Sequence, residues 1–317
     1  MKNAELVTFG GSGLNRAAEL RDQAAEMLPN AQCLPIWRGK VLFDFEAKRL
    51  IRLPHDHAII AESNLAPVFI GLEEDGTPIF AFDVSAWVDP NADEEQMGRF
   101  FDPSQNRYPG FPETQVFAEL RGIMAKLSPR DAELAASARG LFAWHENHGF
   151  CAKCGAPTDV AKAGWQRDCT TCGASHFPRT DPVVIVLVLK GNSVLLGRSP
   201  GWPEGMYSLL AGFMEPGESM EAAARREVFE ESGIRLSDVG YLASQPWPFP
   251  SSLMIGCIAK AETTAIDLDP NEIEDARWFT REEVAASTRG ENPDLYPARP
   301  GSIAHFLIHN WLADTLN

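Results

Sequence analysis

Hydrophobic and polar residues follow two different periods along this chain, and each period predicts its own kind of element. Short apolar runs predict strands in the first half at residues 41–45, 58–60, 68–72 and 79–84. Asp75 and Gly76 separate the last two runs and predict a hairpin turn. Apolar residues at helical spacing predict helices over residues 116–126 and 129–146. We therefore predict an N-terminal β-rich domain over residues 1–127 and a connecting helix within residues 128–148.

Strands alternate with helices in the second half of the chain. The predicted strands cover residues 183–189, 194–197, 209–213, 241–245, 253–259 and 276–279. Helices are predicted over residues 219–232 and 302–316, and Ser219 and Gly233 fit the N-cap and the terminal glycine of the first. The predicted fold class is α/β (α+β), with an α/β/α sandwich on a mixed sheet over residues 179–317. The two halves show no sequence repeat, but they can share a fold that the sequence no longer shows.

Size and charge narrow the classes of protein that fit. The chain has 317 residues, which suggests two domains, and a formal net charge of −16. That charge disfavours unspecific nucleic-acid binding but is compatible with a nucleotide bound through a metal. The N-terminus shows no charged segment followed by an apolar core, and the aliphatic run at 183–189 is too short to span a bilayer. We expect a cytoplasmic protein without a membrane partner.

Four of the six cysteines predict a zinc site. They follow the spacing C-x₂-C-x₁₄-C-x₂-C and are Cys151, Cys154, Cys169 and Cys172. Four thiolates complete a tetrahedral shell around Zn²⁺, so the metal is expected to be structural and to stabilise a zinc ribbon over residues 149–178. Two disulfides or redox-active pairs are the alternative, and a ligand could be replaced by His145, His148 or His176. The remaining cysteines, Cys33 and Cys257, are predicted to be buried in the core.

An acidic helix carries the strongest chemical signal in the chain. Residues 212–234 read GFMEPGESMEAAARREVFEESGI. Glu227, Glu230 and Glu231 stand at i, i+3 and i+4 and therefore share one helix face. Like charges at this spacing destabilise a helix by about 0.2–0.5 kcal/mol per pair, and an oxygen-preferring cation such as Mg²⁺ or Mn²⁺ would reverse that effect. The alternative is a solvated acidic face.

A proline-rich segment after this helix predicts a binding site for a flat base. Residues 244–252 read SQPWPFPSS, and the alternating prolines predict a stiff, extended chain. Trp247 and Phe249 would be held with little entropy left to lose, and stacking is worth about 1–3 kcal/mol per base. Hydrogen bonds to ribose or phosphate oxygens are offered by Gln245, Ser251 and Ser252. The alternative is a proline-rich loop that binds another domain.

The zinc-ribbon spacing, the acidic motif and SQPWPFPSS together resemble the NADH pyrophosphatase branch of the Nudix hydrolases. The motif fills every fixed position of the Nudix box, including Gly212, Glu218 and Arg226. The resemblance covers the ribbon and everything after it. It implies metal-dependent hydrolysis of NADH or NAD to (reduced) nicotinamide mononucleotide and AMP. It also implies structural zinc, catalytic Mg²⁺ or Mn²⁺, a homodimer and, in bacterial members, removal of NAD caps from RNA 5′ ends.

The resemblance also implies roles for individual residues. Glu227 and Glu231 would be metal ligands, with Glu230 as a metal partner or general base. The metal would also meet the backbone carbonyl of Ala211 and the side chain of Glu272. The dinucleotide pocket would be lined by Gln245, Pro246, Trp247, Pro248, Phe249, Pro250, Ser251 and Ser252. Further substrate contacts would come from Phe213, from the backbone of Ala304 and from Phe177 of the other subunit, which keeps the ring but loses the hydroxyl of the family's tyrosine.

Three other functions remain compatible with the sequence. The same chemistry can act on ADP-ribose, coenzyme A or a nucleoside triphosphate. NAD-capped RNA is a second possibility, although the acidic balance disfavours RNA binding. A zinc-ribbon adaptor with an inactive Nudix domain is a third, against which argue the intact Glu218, Arg226, Glu227, Glu230 and Glu231.

Overall fold

The structure, a computed structural model, describes residues 1, 3–97, 99 and 102–316. The chain divides into two compact units. We call Gly11–Arg179 with Pro248–Ser251 the ribbon unit, because it contains the four-cysteine segment. We call the remainder the box unit, because it contains the acidic motif; it comprises Met1–Gly10, Thr180–Trp247 and Ser252–Asn317. The first ten residues thus group with the second half of the chain.

The described residues of the ribbon unit form an eight-stranded sheet, with strand order β5-β6-β1-β2-β8-β7, β3 beside β2 and β4 beside β1. The parallel pair is β1 with β6, and the other pairs are antiparallel. The strands are β1 (Gln32–Trp37), β2 (Lys40–Asp44), β3 (Arg49–Leu50), β4 (Leu53–Pro54), β5 (Val68–Leu72), β6 (Pro78–Asp83), β7 (Gln105–Asn106) and β8 (Gln115–Ala118). The helices are α1 (Ala24–Met27), α2 (Leu120–Ile123) and α3 (Pro129–Asn147).

Buried aromatic rings hold this sheet together. Trp37, Phe69, Phe80 and Phe117 are each no more than 2% exposed and belong to one core cluster. The predicted hairpin is confirmed as β5 and β6. The predicted connecting helix is confirmed as α3, whose N-cap Ser128 accepts a hydrogen bond from the Asp131 backbone N–H at 3.1 Å.

Two elements predicted in this unit are wrong. Residues 58–60 form no strand but part of a 3₁₀ helix, Ala58–Glu62, in which the Ile60 N–H donates to the His57 carbonyl. Residues 116–126 do not form one helix, because the apolar residues at 116–118 pair with β2 and are buried in the sheet. Only α2 and the 3₁₀ turn Met124–Lys126 are helical in that stretch. Short apolar runs carry too little periodicity to separate strand from helix.

The four-cysteine segment folds as a small three-stranded antiparallel sheet with almost no core. Its strands are β9 (Asp159–Ala161), β10 (Gln166–Asp168) and β11 (Ser175–His176), in the order β11-β10-β9. The structure describes all of residues 149–178, and the buried ones among them are Cys151, Thr158, Gly164 and Cys169. Two of these four are predicted metal ligands, so apolar burial alone does not hold the segment together.

The described residues of the box unit form a mixed six-stranded sheet with order β15-β16-β12-β13-β17 and β14 beside β12. β12 and β16 run parallel, and the other pairs are antiparallel. The strands are β12 (Asp181–Lys190), β13 (Ser193–Arg198), β14 (Leu210–Phe213), β15 (Leu236–Trp247), β16 (Ser252–Ala261) and β17 (Asp275–Thr280). The helices are α4 (Met220–Ser232), α5 (Arg281–Thr288) and α6 (Ile303–Leu312).

Alternating residues of β12 face two separate cores. Val184, Val186 and Val188 cluster with α4, whereas Ile185 and Leu187 cluster with α6. This two-sided burial explains the continuous apolar run of the strand and confirms the predicted α/β/α sandwich. No helix in the described part of the chain has both the length and the apolar character needed to cross a membrane.

The two units share one strand topology. Taken along the chain, β1, β2, β4, β5, β6 and β8 pair with one another as β12, β13, β14, β15, β16 and β17 do, including the single parallel pair. The connection that carries α4 in the box unit carries the 3₁₀ helix Ala58–Glu62 in the ribbon unit. A shared fold therefore exists without a visible sequence repeat.

The segment predicted to be extended is extended over its first four residues, 244–247, which end β15. Trp247 pairs with Ser252 at the start of β16. The prediction is wrong for Pro248–Ser251, where the chain reverses, with a cis peptide bond between Phe249 and Pro250. The segment is therefore one arm and the turn of a hairpin.

Candidate functional site

The four cysteine sulfurs form a closed cluster that fits zinc. All four Sγ atoms lie within 4.8 Å of one another. The Sγ atoms of Cys151 and Cys172 are 3.6 Å apart, and those of Cys154 and Cys169 are 3.5 Å apart. A tetrahedral Zn²⁺ with Zn–S bonds of about 2.3 Å needs sulfurs about 3.8 Å apart, whereas a disulfide needs about 2.05 Å. The cluster therefore favours the zinc site over the two disulfides.

Two matching turns present these sulfurs. In the first turn the Gly155 N–H donates to the Cys151 carbonyl at 2.8 Å, and in the second the Gly173 N–H donates to the Cys169 carbonyl at 2.9 Å. Both glycines have φ above 70°, a region that favours glycine. Each half reads C-x-x-C-G-A, so a short repeated sequence builds both halves of the metal shell.

The neighbouring histidines do not take a cysteine's place. His176 Nε2 lies 3.3 Å from Cys151 Sγ and so supports that sulfur. His145 Nε2 lies 2.9 Å from the Gly164 carbonyl. The two remaining cysteines, Cys33 and Cys257, are fully buried as predicted, and burial raises the pKa of each thiol to about 12.

Helix α4 turns two of its three central glutamates towards the protein. The Ser219 hydroxyl caps the helix by accepting from the Ala222 N–H, and Gly233 ends it with φ 69°, both as predicted. Glu227 and Glu231 are buried, whereas the Glu230 side chain is 52% exposed. On the helix face that the three glutamates share, Glu227 and Glu231 are thus directed into the protein, and Glu230 is directed towards solvent.

Burial makes the charged form of both inward carboxylates costly. Burial, the charge of Glu227 and the charge of Glu272 raise the pKa of Glu231 to about 8. Burial also raises the pKa of Glu227, against the lowering effect of Arg226. Glu231 Oε2 is buried without a hydrogen-bond partner. An unpaired buried carboxylate oxygen is costly, so these donors fit a hard divalent cation such as Mg²⁺ or Mn²⁺.

Arg226 organises the rest of the motif. Its guanidinium contacts both oxygens of Glu218, at 2.6 and 2.7 Å, which is a bidentate pair. It also donates to Glu227 at 2.8 Å, to Glu230 at 3.0 Å and to the Phe213 carbonyl at 2.9 Å. Arg226 lowers the pKa of Glu218 to about 2, so that pair stays ionised. The sequence motif contains both Arg226 and Glu218, but spacing alone did not reveal that Arg226 contacts the predicted ligands Glu227 and Glu230.

Strand β14 lies next to the buried glutamates. Ala211 pairs with Ile185 of β12, and its backbone forms a hydrogen bond to Glu231. A Cβ built on Gly212 would overlap the Glu227 carboxylate. Phe213 follows at the end of the strand and is 59% exposed. The box glycine therefore permits close approach of the strand to the carboxylate.

Replacing Gly212 by alanine should displace the Glu227 carboxylate. We expect a loss of about 1–3 kcal/mol in unfolding free energy, typical of overpacking, and weaker binding of Mn²⁺. Thermal unfolding and Mn²⁺ titration measure both quantities. Gly240→Ala is the matched control, because its Cβ would lie 3.5 Å from the nearest atom, the Cγ2 of Ile258. Equal effects of the two variants would contradict this role of Gly212.

Two glutamates follow β16, Glu272 and Glu274, and they have different surroundings. The charge of Glu272 acts on both Glu227 and Glu231. Glu274 instead forms an ion pair with Arg198, at 3.3 Å. Of the two, Glu272 therefore lies in the electrostatic reach of the buried pair, and its role as a ligand remains a prediction.

The predicted dinucleotide segment divides between the two units. Gln245, Pro246 and Trp247 end β15 and Ser252 begins β16 in the box unit, whereas the ribbon unit includes Pro248, Phe249, Pro250 and Ser251. The Phe249 ring packs against Arg121 and Arg139, whose guanidinium carbons lie 4.1 and 4.8 Å from its centroid. The Phe249 ring is thus engaged within the ribbon unit, and base stacking by Trp247 remains a prediction.

Gln245 has an internal role that its sequence did not reveal. Its side chain is fully buried, and its Nε2 donates to the carbonyls of Thr8 and Gly301 at 2.8 and 2.9 Å. Its Oε1 accepts from the Ile303 N–H at 2.7 Å. In this conformation the amide ties the hairpin to α6 instead of facing a ligand, which corrects the expected contact with ribose or phosphate.

Two predicted contacts lie outside these groups. Ala304 is buried in the first turn of α6, directly after the Ile303 N–H that Gln245 accepts from. Phe177 follows β11 in the ribbon unit and is 65% exposed. Their contacts with substrate remain predictions.

Comparison with known proteins finds three family models that match parts of the chain. Residues 30–144 match the "NADH pyrophosphatase-like rudimentary NUDIX domain", residues 146–177 the "NADH pyrophosphatase zinc ribbon domain" and residues 179–299 the "NUDIX domain". Among solved structures, a NUDIX hydrolase from Nitrosomonas europaea aligns over 52% of this chain and 90% of its own, at 22% identity and a TM-score of 0.42.

Two curated relatives are similar over most of the chain. The NAD-capped RNA hydrolase NUDT12 of Homo sapiens is 42% identical over 255 residues, 76% of this chain and 51% of its own, so the chain spans about half the length of that relative. The NAD-capped RNA hydrolase NudC of Mycobacterium bovis is 38% identical over 293 residues, 87% of either chain. From the three matching family models and the 38% identity to NudC over 87% of either chain, we conclude that this chain belongs to the NADH pyrophosphatase-like family of Nudix hydrolases.

Proposed function

We propose that this chain hydrolyses the diphosphate bridge of an NAD group, carried by free NADH or NAD or by the 5′ end of an RNA. The buried Glu227 and Glu231 pair carries the proposal, because its unbonded oxygen fits a divalent cation at a phosphate. The names of the two relatives favour the NAD cap of RNA as a substrate.

Each residue of the proposed site would have its own role. Glu227, Glu231 and the Ala211 carbonyl would hold Mg²⁺ or Mn²⁺, with Glu272 nearby. The metal would neutralise phosphate oxygens and polarise the attacked phosphorus. Glu230 is exposed enough to take a proton from water, which suits a general base. Arg226 would keep Glu227 and Glu230 in position throughout.

A rate comparison on four substrates tests the proposal. Purified protein with Mg²⁺ or Mn²⁺ should release nicotinamide mononucleotide, reduced in the case of NADH, from NADH, NAD and NAD-capped RNA faster than it releases AMP from ADP-ribose. The second product is AMP from the free dinucleotides and 5′-monophosphate RNA from the capped RNA, and capped RNA is expected to give the highest kcat/KM. No nicotinamide mononucleotide from any NAD-containing substrate with either metal would end the proposal.

Trp247→Ala tests whether Trp247 stacks on a base of the substrate. If Trp247 stacks on the base, kcat/KM for NADH should fall by roughly 5- to 150-fold, the equivalent of about 1–3 kcal/mol. The loss should be smaller for ADP-ribose, which lacks nicotinamide. Tyr241→Ala is the control, because Tyr241 is an exposed ring on the same strand outside the motif. Equal losses on both substrates would favour a general nucleoside diphosphate hydrolase.

We also propose a homodimer in the cytoplasm. Phe177 is an exposed ring on a segment with little core, which suits a residue that packs against a second copy. Phe177→Ala should then shift the chain towards monomer in sedimentation analysis. A wild-type chain that stays monomeric at every accessible concentration would refute the dimer.

A further inference from the structure

Helix α6 of the box unit carries two histidines on one face. His305 and His309 stand at i and i+4, so their side chains are neighbours on that face. Their rings are nearly parallel, with centroids 6.0 Å apart and an angle of 9° between the ring planes. Helix α6 packs in the core on the opposite side of the sheet from the acidic helix α4. The histidine pair is therefore separate from the proposed site of the catalytic metal.

The arrangement of the two rings is suited to one metal ion. Two histidines at i and i+4 on a helix recur in proteins as ligands of Zn²⁺. With metal–nitrogen bonds of about 2.0–2.1 Å, two imidazole rings on one tetrahedral ion have centroids about 5 Å apart. The observed 6.0 Å exceeds that value by about 1 Å, which a rotation of the exposed His309 side chain can remove. The backbone of the pair is already fixed, because the Ser302 hydroxyl accepts from the His305 N–H at 3.2 Å.

Both rings are available as ligands. Within the described part of the chain, neither ring forms a hydrogen bond with another residue. Burial and the charge of His309 lower the pKa of His305, so this ring is neutral at physiological pH. A neutral imidazole is the form that binds a metal. The exposed ring of His309 can be reached by an ion from solvent.

A small hollow beside the rings provides room for the ion. Its volume is about 30 Å³, and both histidines line it together with Tyr296 and the apolar side chains of Val284, Leu295 and Ile308. Because a volume of about 10–15 Å³ already admits one water, the hollow can hold an ion with a bound water. Ser287 and Thr288 also line it, but their hydroxyls donate to carbonyls of their own helix, at 2.7 and 2.8 Å. The two imidazoles are therefore its metal-binding groups.

We propose that His305 and His309 bind a transition-metal ion such as Zn²⁺ or Ni²⁺. Imidazole nitrogen suits these ions, whereas Mg²⁺ and Mn²⁺ prefer the oxygen ligands of the acidic site. Two protein ligands leave the other coordination positions to water, so this ion exchanges with solvent, in contrast to zinc in a closed shell of four cysteines. Residues 306–308 between the histidines are apolar and offer no carboxylate base. The pair is therefore a binding site, and an ion that links two turns of α6 stabilises the helix.

Calorimetric titration with Ni²⁺ tests the site. The sample is the full zinc-loaded chain without an affinity tag, and excess Mg²⁺ occupies the acidic site. Ni²⁺ should bind the wild type once per chain. His309→Ala should weaken this binding by at least about 10- to 100-fold, since the loss of a residue that merely supports a metal ligand already costs that much. His305→Ala should weaken it to a similar extent.

The matched control is His55→Ala, because His55 is a half-buried histidine of the ribbon unit outside the pair. Its affinity for Ni²⁺ should equal that of the wild type. Thermal unfolding without Ni²⁺ shows whether each variant is folded, and the exposed position of His309 makes its replacement compatible with the fold. Ni²⁺ should raise the melting temperature of the wild type and of His55→Ala more than that of His309→Ala.

Three results would overturn the proposal. The first is no binding of Ni²⁺ to the zinc-loaded wild type. The second is the same affinity in the wild type and in His309→Ala. The third is release of one Zn²⁺ for each Ni²⁺ taken up, measured with a zinc-sensitive dye, which would assign the signal to the cysteines. None of these measurements involves hydrolysis, so they leave the proposed function untouched.

Discussion

Glu231→Gln should abolish most activity while making the metal-free protein more stable. Glu231 is buried, one of its carboxylate oxygens lacks a hydrogen-bond partner, and burial raises its pKa to about 8. Removing a ligand of the catalytic cation should lower kcat on the order of 10²- to 10³-fold, the equivalent of several kcal/mol. Because the raised pKa makes folding without metal take up a proton at neutral pH, replacing the carboxyl by an amide should at the same time raise the melting temperature without metal.

Steady-state release of AMP and thermal unfolding with and without Mn²⁺ measure both effects. Mn²⁺ should raise the melting temperature of the wild type and have little effect on the variant. Glu221→Gln is the control, since Glu221 lies in the first turn of the same helix, away from the buried pair. Activity of Glu231→Gln within twofold of the wild type would show that the metal site has been misplaced.

Cys154→Ser should remove zinc and unfold the ribbon. Structural Zn²⁺ in finger peptides contributes about 10–16 kcal/mol, which equals or exceeds the whole stability of a typical domain, about 5–15 kcal/mol. Almost no apolar side chain is buried within residues 149–178. The loss of one ligand therefore cannot be offset by packing within the ribbon.

Metal analysis should find one Zn²⁺ per wild-type chain and much less in the variant. Limited proteolysis should then cut the variant within residues 149–178. Cys33→Ala is the control, because Cys33 is a fully buried cysteine outside the cluster and should leave zinc content unchanged. Full zinc content together with a protease-resistant ribbon in Cys154→Ser would contradict the assignment.

Features set by neighbouring residues were predictable from the sequence. Helix α4 followed from its apolar spacing, its Ser219 cap and its Gly233 end, all of which act within one or two turns. The cysteine cluster followed from its two short spacings. The buried strand β12 followed from its continuous aliphatic run.

Features set by distant residues were not predictable. Gln245 is satisfied by partners 237, 56 and 58 positions away, so no local pattern signals its burial. The reversal of the chain over Pro248–Ser251 goes with the pairing of Trp247 and Ser252, which the proline pattern did not signal. Residues 58–60 were mistaken for a strand because three apolar residues fit either a strand or a helical turn. The strand order that the two units share likewise depends on which strands pair, and this pairing is seen here without a matching sequence repeat.

The short 3₁₀ turn at Ala58–Glu62 bears on which substitutions each of the two units can accept. The box unit carries its acids on the 13-residue helix α4, whereas the ribbon unit has the same strand order without such a helix at the matching connection. The proposed ligands of the catalytic metal therefore all belong to one copy of the fold. Substitutions on the surface of the other copy leave these acids in place, so that copy tolerates changes that the box unit does not.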